Sequence, residues 1–182
     1  MSQQLLSRVL VASGIFAGLL SGSGFAQEKH PITISGEGVK SRYVQQLAID
    51  VDDVAGHQVR VLEVVRIFPV DKQPIVDGER IVEWWSRGLS NYIGGVGPGW
   101  GYHTWITDKG NKIFFEYSAT VESQATETGS KRGTSHGTSR FVGGTGRFSK
   151  LRGYLVDVTK FDTDPKAGYA VAESRGEYWF EQ

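Results

Sequence analysis

The sequence contains no cysteine among its 182 residues, only one methionine and only five prolines. Without cysteine, the chain forms no disulfide bond, no thiolate metal site and no lipid-modified amino terminus. Neither sign of charge dominates, since 20 Lys and Arg residues face 20 Asp and Glu residues. The chain therefore lacks the basic stripe that selects nucleic acid or an anionic membrane surface, and we expect neither partner.

The amino terminus has the pattern of a secretory signal peptide. Arg8 precedes an apolar stretch from Val9 to Leu20, which is shorter than the roughly 20 residues of a membrane span. Gly24-Phe25-Ala26 then resembles a signal peptidase site. We predict cleavage after Ala26, one domain over residues 27–182, export to the periplasm or the extracellular space, and no stable membrane insertion. An uncleaved anchor is the alternative.

The rest of the chain predicts an all-β domain. Short β-branched and aromatic runs alternate with Gly, Asp and Asn, and the sequence has 24 glycines. Eight strands are predicted, over residues 39–51, 59–68, 79–93, 100–107, 112–122, 134–142, 153–161 and 168–181. Because open edges favour aggregation, we expect a small antiparallel eight-stranded closed barrel, whose interior holds side chains or one small ligand. An open sandwich is the alternative.

The last predicted strand supports a tapering interior. One face changes from the small residues Ala172, Ser174 and Gly176 to the aromatic residues Tyr178 and Phe180. Small side chains that give way to large ones are typical of the inside of a small barrel.

Several residues are candidates for chemistry. Glu116 and Asp157 lie among apolar strand neighbours, and burial would raise their pKa values if they face inward. Their orientation is left open by the sequence. His103 shares a strand face with Trp105, as a base, a ligand contact or a packed side chain. Trp84, Trp105 and Tyr154 are further candidate ligand contacts.

Metal and cofactor sites are not predicted. The four histidines are not paired at ligand spacing, so we expect no metal. Asp50, Asp52 and Asp53 form an acidic turn without the Gly and distal Glu of a calcium loop, which favours a solvated turn. The glycine-rich residues 94–101 are followed by a strand and contain Pro98, which favours a flexible rim loop over a phosphate loop.

The stretch from Phe141 to Tyr154, FVGGTGRFSKLRGY, is the most specific motif. It resembles the Val-Gly-Gly-Thr-Gly signature of plant dirigent proteins and the looser pattern of allene oxide cyclase-like barrels. That resemblance implies a calycin-like eight-stranded barrel with a hydrophobic lumen. Arg152 matches an arginine that lies near the pocket in dirigent proteins.

These observations together predict an exported barrel that binds a small apolar or aromatic molecule without a cofactor. The resemblance implies isomerase-like or dirigent-like steering of a cyclisation or coupling, with Arg152 orienting a polar end and Glu116 or Asp157 transferring a proton. Arg152 pairing with a carboxylate to close the barrel end is equally open. The alternative functions are a non-catalytic carrier and a homo-oligomeric interaction protein, so catalysis itself is left open.

Overall fold

The computed structural model describes residues 27–125, 131–162 and 170–182. Within them the strands are β1 His30–Ser35, β2 Lys40–Asp50, β3 His57–Ile67, β4 Ile75–Val76, β5 Glu79–Ile93, β6 Gly97–Thr107, β7 Lys112–Ala125, β8 Lys131–Gly144, β9 Leu151–Asp162 and β10 Ala170–Phe180. Two 3-10 helices cover Val70–Lys72 and Gly146–Phe148. None of the described helices has the length and hydropathy of a membrane span. The predicted signal peptide and its cleavage site lie outside the described residues.

The strands form one antiparallel sheet in the order β1-β10-β9-β8-β7-β6-β5-β3-β2, with β4 paired to β5 beside this path. The two edge strands, β1 and β2, are consecutive in the chain and are joined by residues 36–39. Such a short link spans at most about 18 Å. The sheet must therefore coil until its two edges approach each other, which gives it a concave and a convex face.

The prediction of a closed eight-stranded barrel is wrong, because the ten-stranded sheet does not close. The amide of Gly36 still donates to the carbonyl of Ala172 on the β10 side, at 2.6 Å. Four residues later, Lys40 is already in register with Ile67 of β3. Residues 36–39 thus separate β1 from β2, and these two strands lie at opposite edges of the sheet. One continuous sheet also differs from the open sandwich considered above.

The all-β prediction is confirmed, and each of the eight predicted strands corresponds to an observed one. Alternation explains this success: along β7, Ile113, Phe115 and Val121 are buried on one face while Glu122 is exposed on the other. The two strands absent from the prediction are the short ones. β1 contains Pro31, which is tolerated because β1 lies at the edge of the sheet, and β4 has only two residues.

The hydrophobic core lies on the concave face, toward one end of the coil. Its largest fully buried side chains include Trp105, Phe115, Phe141 and Phe148. Ile32 of β1 belongs to the same cluster, so the coiling brings the amino-terminal edge strand onto the core. Burying an aromatic side chain of this size stabilises the fold by roughly 1.5–3 kcal/mol.

The Gly-Gly-Thr-Gly motif forms the bend between β8 and β9. Gly146 has a φ of 55°, in the left-handed region that favours glycine. The 3-10 turn that follows buries Phe148 completely. At Gly144 there is no space for a side chain, since a Cβ would lie 2.7 Å from the Cβ of Phe148. The motif therefore acts as a packed corner at the apolar end of the core.

A buried carboxylate ties this end of the sheet together. Glu79, which is 2% exposed, accepts a hydrogen bond from Thr107 Oγ1 at 2.7 Å and from Asn111 Nδ2 at 3.1 Å. Lys109 Nζ lies 4.0 Å away. Burial acts to raise the pKa of Glu79, but the hydrogen bonds from Thr107 and Asn111 and the charge of Lys109 hold it below its usual range. The start of β5 is thereby fixed to the β6–β7 turn.

The opposite edge of the sheet is held in a different way. Every residue of β2 is exposed, including Leu47 at 61%. On the convex face, Leu47 is in register with Val61, Val61 with Leu89, and Leu89 with Trp100, and all four are exposed. The position of β2 in the sheet is therefore stabilised by its backbone hydrogen bonds to β3 rather than by the burial of its side chains.

Candidate functional site

The concave face changes from apolar to polar at a similar level on neighbouring strands. Along β6 the inward residues change from Trp105 to His103, and along β9 they change from Leu155 to Asp157. We name the polar side the concave polar band, and it consists of Arg66, Ser86, His103, Tyr117, Ser139, Asp157 and Ser174. Its members come from β3 and from β5 to β10, so the coiling brings them together although they span more than half of the sequence.

His103 and Tyr117 form the centre of the band. Their rings stack with centroids 4.0 Å apart and an interplanar angle of 3°. The edge of the Trp84 ring system packs against His103 at 5.1 Å. Burial lowers the pKa of His103 well below its usual value, helped by the charge of Arg66. Burial also raises the pKa of Tyr117 to about 12. At neutral pH the pair is thus an uncharged imidazole stacked on an uncharged phenol.

A glycine makes room for the Tyr117 ring. A Cβ on Gly88 would overlap the Tyr117 hydroxyl and would lie 2.5 Å from the carbonyl oxygen of Trp100. The ring therefore reaches across β6 to β5, which only glycine at position 88 permits. The predicted flexible rim loop over residues 94–101 is in part a strand, since Gly97, Gly99 and Gly101 belong to β6. These glycines lie on the same strand face as His103.

Arg66 places a cation in the band. Its Nη1 donates to Ser86 Oγ at 2.5 Å, and its guanidinium lies 5.2 Å from the centroid of the Trp84 ring. Burial lowers the pKa of Arg66, while the nearby Tyr117, Tyr43 and Asp157 act to raise it. Arginine is charged throughout the physiological range regardless of such a shift. The band therefore contains a permanent positive charge whose hydrogen-bond acceptor is neutral.

Asp157 is the acid of the band. Ser139 Oγ donates to its Oδ2 at 2.6 Å, and Ser174 lies directly opposite on β10. Burial raises the pKa of Asp157, although hydrogen bonding to Ser139 and Ser174 and the charge of Arg66 act in the other direction. Asp157 can therefore exchange a proton closer to neutral pH than an exposed aspartate.

Several buried polar atoms in and beside the band have no hydrogen-bond partner among the described residues. They include His103 Nδ1 and Arg60 Nε. In addition, within the described chain, Asp157 Oδ1 and Ser174 Oγ have only each other as polar contacts, and Ser90 Oγ has only Tyr92, outside normal hydrogen-bond geometry. Arg60 and Ser90 are paired across β3 and β5 on the same inward face. Each such atom costs about 1–3 kcal/mol when it is left without a partner. The concave face thus contains buried polar groups whose hydrogen-bonding capacity is not filled by the described residues.

Comparison with known proteins finds similarity among solved structures. The chain is similar to the solved structure of the pterocarpan synthase dirigent protein, with a TM-score of 0.46 and 11% sequence identity, over 92% of this chain and 100% of that one. No protein family model matches, and no curated protein matches. The site residues are therefore taken from the geometry of this chain alone.

Four of the seven residues proposed from sequence lie on the concave face. Asp157 and His103 belong to the band, and Trp84 and Trp105 lie next to it in the core. The indole nitrogens of both tryptophans are buried without a hydrogen-bond partner among the described residues.

The other three proposed residues lie on the convex side. Glu116 forms an ion pair with Arg140 at 2.5 Å, and Tyr154 is 45% exposed. Arg152 pairs with Glu181 at 2.7 Å and donates to the carbonyl of Leu151 at 2.8 Å. The structure therefore separates these three residues from the concave polar band.

Sequence reasoning missed Arg66, Ser86, Ser139, Tyr117 and Ser174 as site residues. The available signal was a polar residue at an inward position of a strand that is otherwise apolar. Arg66 has this property within Val64-Val65-Arg66-Ile67-Phe68. To recognise Arg66 as a site residue, one must know which face of β3 points inward. That face is set by the pairing of β3 with β5 and does not follow from the sequence of β3.

The acidic turn between β2 and β3 forms a separate feature. It surrounds a surface depression of about 370 Å³ that is lined by residues from Asp50 to His57. Asp53 Oδ1 lies 2.5 Å from His57 Nδ1, and Asn91 Oδ1 lies 2.6 Å from His57 Nε2. Hydrogen bonding to Asn91 and to Asp53 raises the pKa of His57. The depression is thus lined by side chains that already bind one another.

Proposed function

We propose that the protein binds a small aromatic or apolar molecule against the concave polar band and holds its polar group in one orientation. The proposed role is ligand steering, in which the molecule reacts from the orientation that the band imposes. Fixing the orientation of reacting groups can lower a barrier by several kcal/mol without a cofactor. The motif resemblance of residues 141–154 agrees with this role.

The observation that carries the proposal is the group of buried polar atoms on the concave face. Within the described chain, His103 Nδ1 is buried without a partner, Asp157 Oδ1 and Ser174 Oγ are buried with only each other as partners, and the three atoms belong to three strands that converge on one face. Buried polar groups in folded proteins normally have partners. A ligand hydroxyl or carbonyl group placed at the band would provide them, and the neighbouring Trp84 would contact its apolar body.

The band also has groups suited to proton transfer. Asp157, with its raised pKa, can donate or accept a proton, and neutral His103 can donate or accept a hydrogen bond beside it. These polar groups favour steering with a chemical step over simple carriage, for which a uniformly apolar lining is expected. In this proposal, His103 and Asp157 contact the ligand.

Isothermal titration calorimetry with 2-naphthalenemethanol, a neutral aromatic alcohol, tests the proposal at pH 7. We expect saturable binding at one site. His103→Phe keeps the ring stacked on Tyr117 but removes both nitrogens, and Asp157→Asn removes the carboxylate. Each should weaken binding about tenfold, because each deletes one or two hydrogen bonds.

Glu173→Gln is the matched control, since Glu173 is exposed and lies next to Ser174 on the opposite face of β10. Its affinity should equal that of the wild type. Absence of saturable binding by the wild type would overturn the proposal. Unchanged affinity in both band variants, with the fold intact by circular dichroism, would overturn it as well.

A further inference from the structure

Two arginines on the concave face are partly buried without a carboxylate partner among the described residues. Three arginines of the described chain are partly buried, namely Arg60, Arg66 and Arg152. Arg152 has Glu181 as its ion-pair partner at 2.7 Å. Neither Arg60 nor Arg66 has a carboxylate within 4.0 Å among the residues that the structure describes. An exposed arginine can do without such a partner because water solvates its charge, which is not the case for a buried one.

The surroundings of Arg66 leave its charge uncompensated. Its hydrogen bond goes to the neutral hydroxyl of Ser86, and the ring below it is that of Trp84. Asp157 is the acid that acts on it, but Asp157 lies beyond ion-pair distance and receives its own hydrogen bond from Ser139. A buried charge without an adjacent counter-charge costs several kcal/mol.

Arg60 repeats this arrangement on the same strand face. Its Nε is buried without a partner among the described atoms, and its guanidinium lies 5.9 Å from the centroid of the Tyr92 ring. Between the two arginines, the inward positions of β3 are occupied by Leu62 and Val64. The strand thus presents two cations separated by an apolar surface.

We infer that the ligand is an organic carboxylate, whose anionic group pairs with Arg66 and whose apolar body lies along the inward face of β3 toward Arg60. This inference rests on the proposed function and specifies its ligand class. The planar guanidinium matches a carboxylate with two parallel hydrogen bonds. The aromatic and apolar neighbours, Trp84, Val64 and Leu62, favour an organic acid over a small inorganic anion.

The test compares two probes that share one aromatic body, 2-naphthoate and 2-naphthalenemethanol, by calorimetry at pH 7. Wild-type protein should bind the carboxylate about 10- to 100-fold more tightly than the alcohol. Arg66→Gln should remove this preference, so that the two probes bind with affinities within about threefold of each other. Arg66→Lys keeps the charge and should retain part of the preference. Arg140→Gln, on the convex face, should behave as the wild type.

The variant Asp157→Asn distinguishes two partners for Arg66, namely an external carboxylate and the carboxylate of Asp157. If Arg66 serves an external carboxylate, Asp157→Asn should increase the preference for 2-naphthoate over 2-naphthalenemethanol, because the alcohol loses a hydrogen-bond partner and Arg66 loses its nearby acid. A smaller preference in Asp157→Asn than in the wild type would contradict the inference. Should Arg66→Gln fail to fold, the wild-type preference and its weakening between 50 and about 500 mM salt decide the question.

The outcomes distinguish the two proposals. Equal affinities for both probes, or an equal loss of both in Arg66→Gln, would overturn the carboxylate inference while the proposed function stands. Binding of neither probe by the wild type would overturn both.

Discussion

Removal of the buried carboxylate of Glu79 should destabilise the fold strongly. Glu79→Ala leaves the Thr107 hydroxyl and the Asn111 amide without their acceptor, at a position that is 2% exposed. Hydrogen bonds to a charged group contribute about 1.5–3 kcal/mol each and are not fully additive. We therefore expect a loss of about 3–5 kcal/mol, which is a large part of the 5–15 kcal/mol typical of a domain.

Urea unfolding at pH 7, followed by tryptophan fluorescence, measures this loss. Glu79→Gln retains one acceptor and should lose about 1–2 kcal/mol, while the exposed Glu122→Gln should stay within about 0.5 kcal/mol of the wild type. A Glu79→Ala variant that lies within about 1 kcal/mol of the wild type would refute the role assigned to the buried hydrogen bonds.

The pH dependence provides an independent check on Glu79. Its pKa in the folded protein lies below the unfolded value of 4.5. A group of this kind stabilises the fold above its unfolded pKa, and the contribution is lost as the pH falls through the folded pKa. The difference in stability between wild type and Glu79→Gln should therefore be constant from pH 6 to 8 and shrink in acid below about pH 4.5.

Three further predictions concern the corner motif, the acidic turn and the aromatic stack. Gly144→Val should lower stability by more than about 2 kcal/mol, because the added side chain meets the Lys112 carbonyl; an unchanged melting temperature would argue against a packed corner. His57, with its raised pKa, should stabilise the fold fully below about pH 6.5 and lose this contribution as the pH rises through the folded pKa. Melting curves from pH 5 to 8 should show the loss in the wild type and not in His57→Gln. Gly88→Ala should displace the Tyr117 ring and weaken 2-naphthalenemethanol binding more than Tyr117→Phe does, and the reverse order would count against the stack as part of the site.

Much of the fold could be predicted from the sequence, because strand alternation is a local property. Residues 112–122 alternate strictly between two faces, whereas the burial pattern along residues 79–93 shifts by one position between Ile81 and Glu83, where the strand has a bulge. Closure of the sheet is not local. It depends on whether the chain at Gly36 stays beside β10 or crosses to β3, and the residues 36–39 that decide this carry no distinctive pattern.

The candidate site was only partly predictable for the same reason. Asp157 and His103 were found because a polar residue among apolar strand neighbours is visible in sequence. Glu116 has the same pattern but lies on the convex face beside Arg140, since one step along a strand reverses the face. Arg66 and Ser174 join the site only through pairing between strands that are distant in sequence.

The pairing of β1 with β10 also determines when the core can be completed during folding. His30 meets Tyr178, so nearly the whole chain separates two strands that share a ladder. Contacts of such long range carry a large loop-closure entropy and slow the folding of β-proteins. During synthesis, the apolar side chains of β1 have no sheet to join until the last strand has been made. The protein therefore completes its core only when β10 is present, and truncation within either β1 or β10 removes the same ladder.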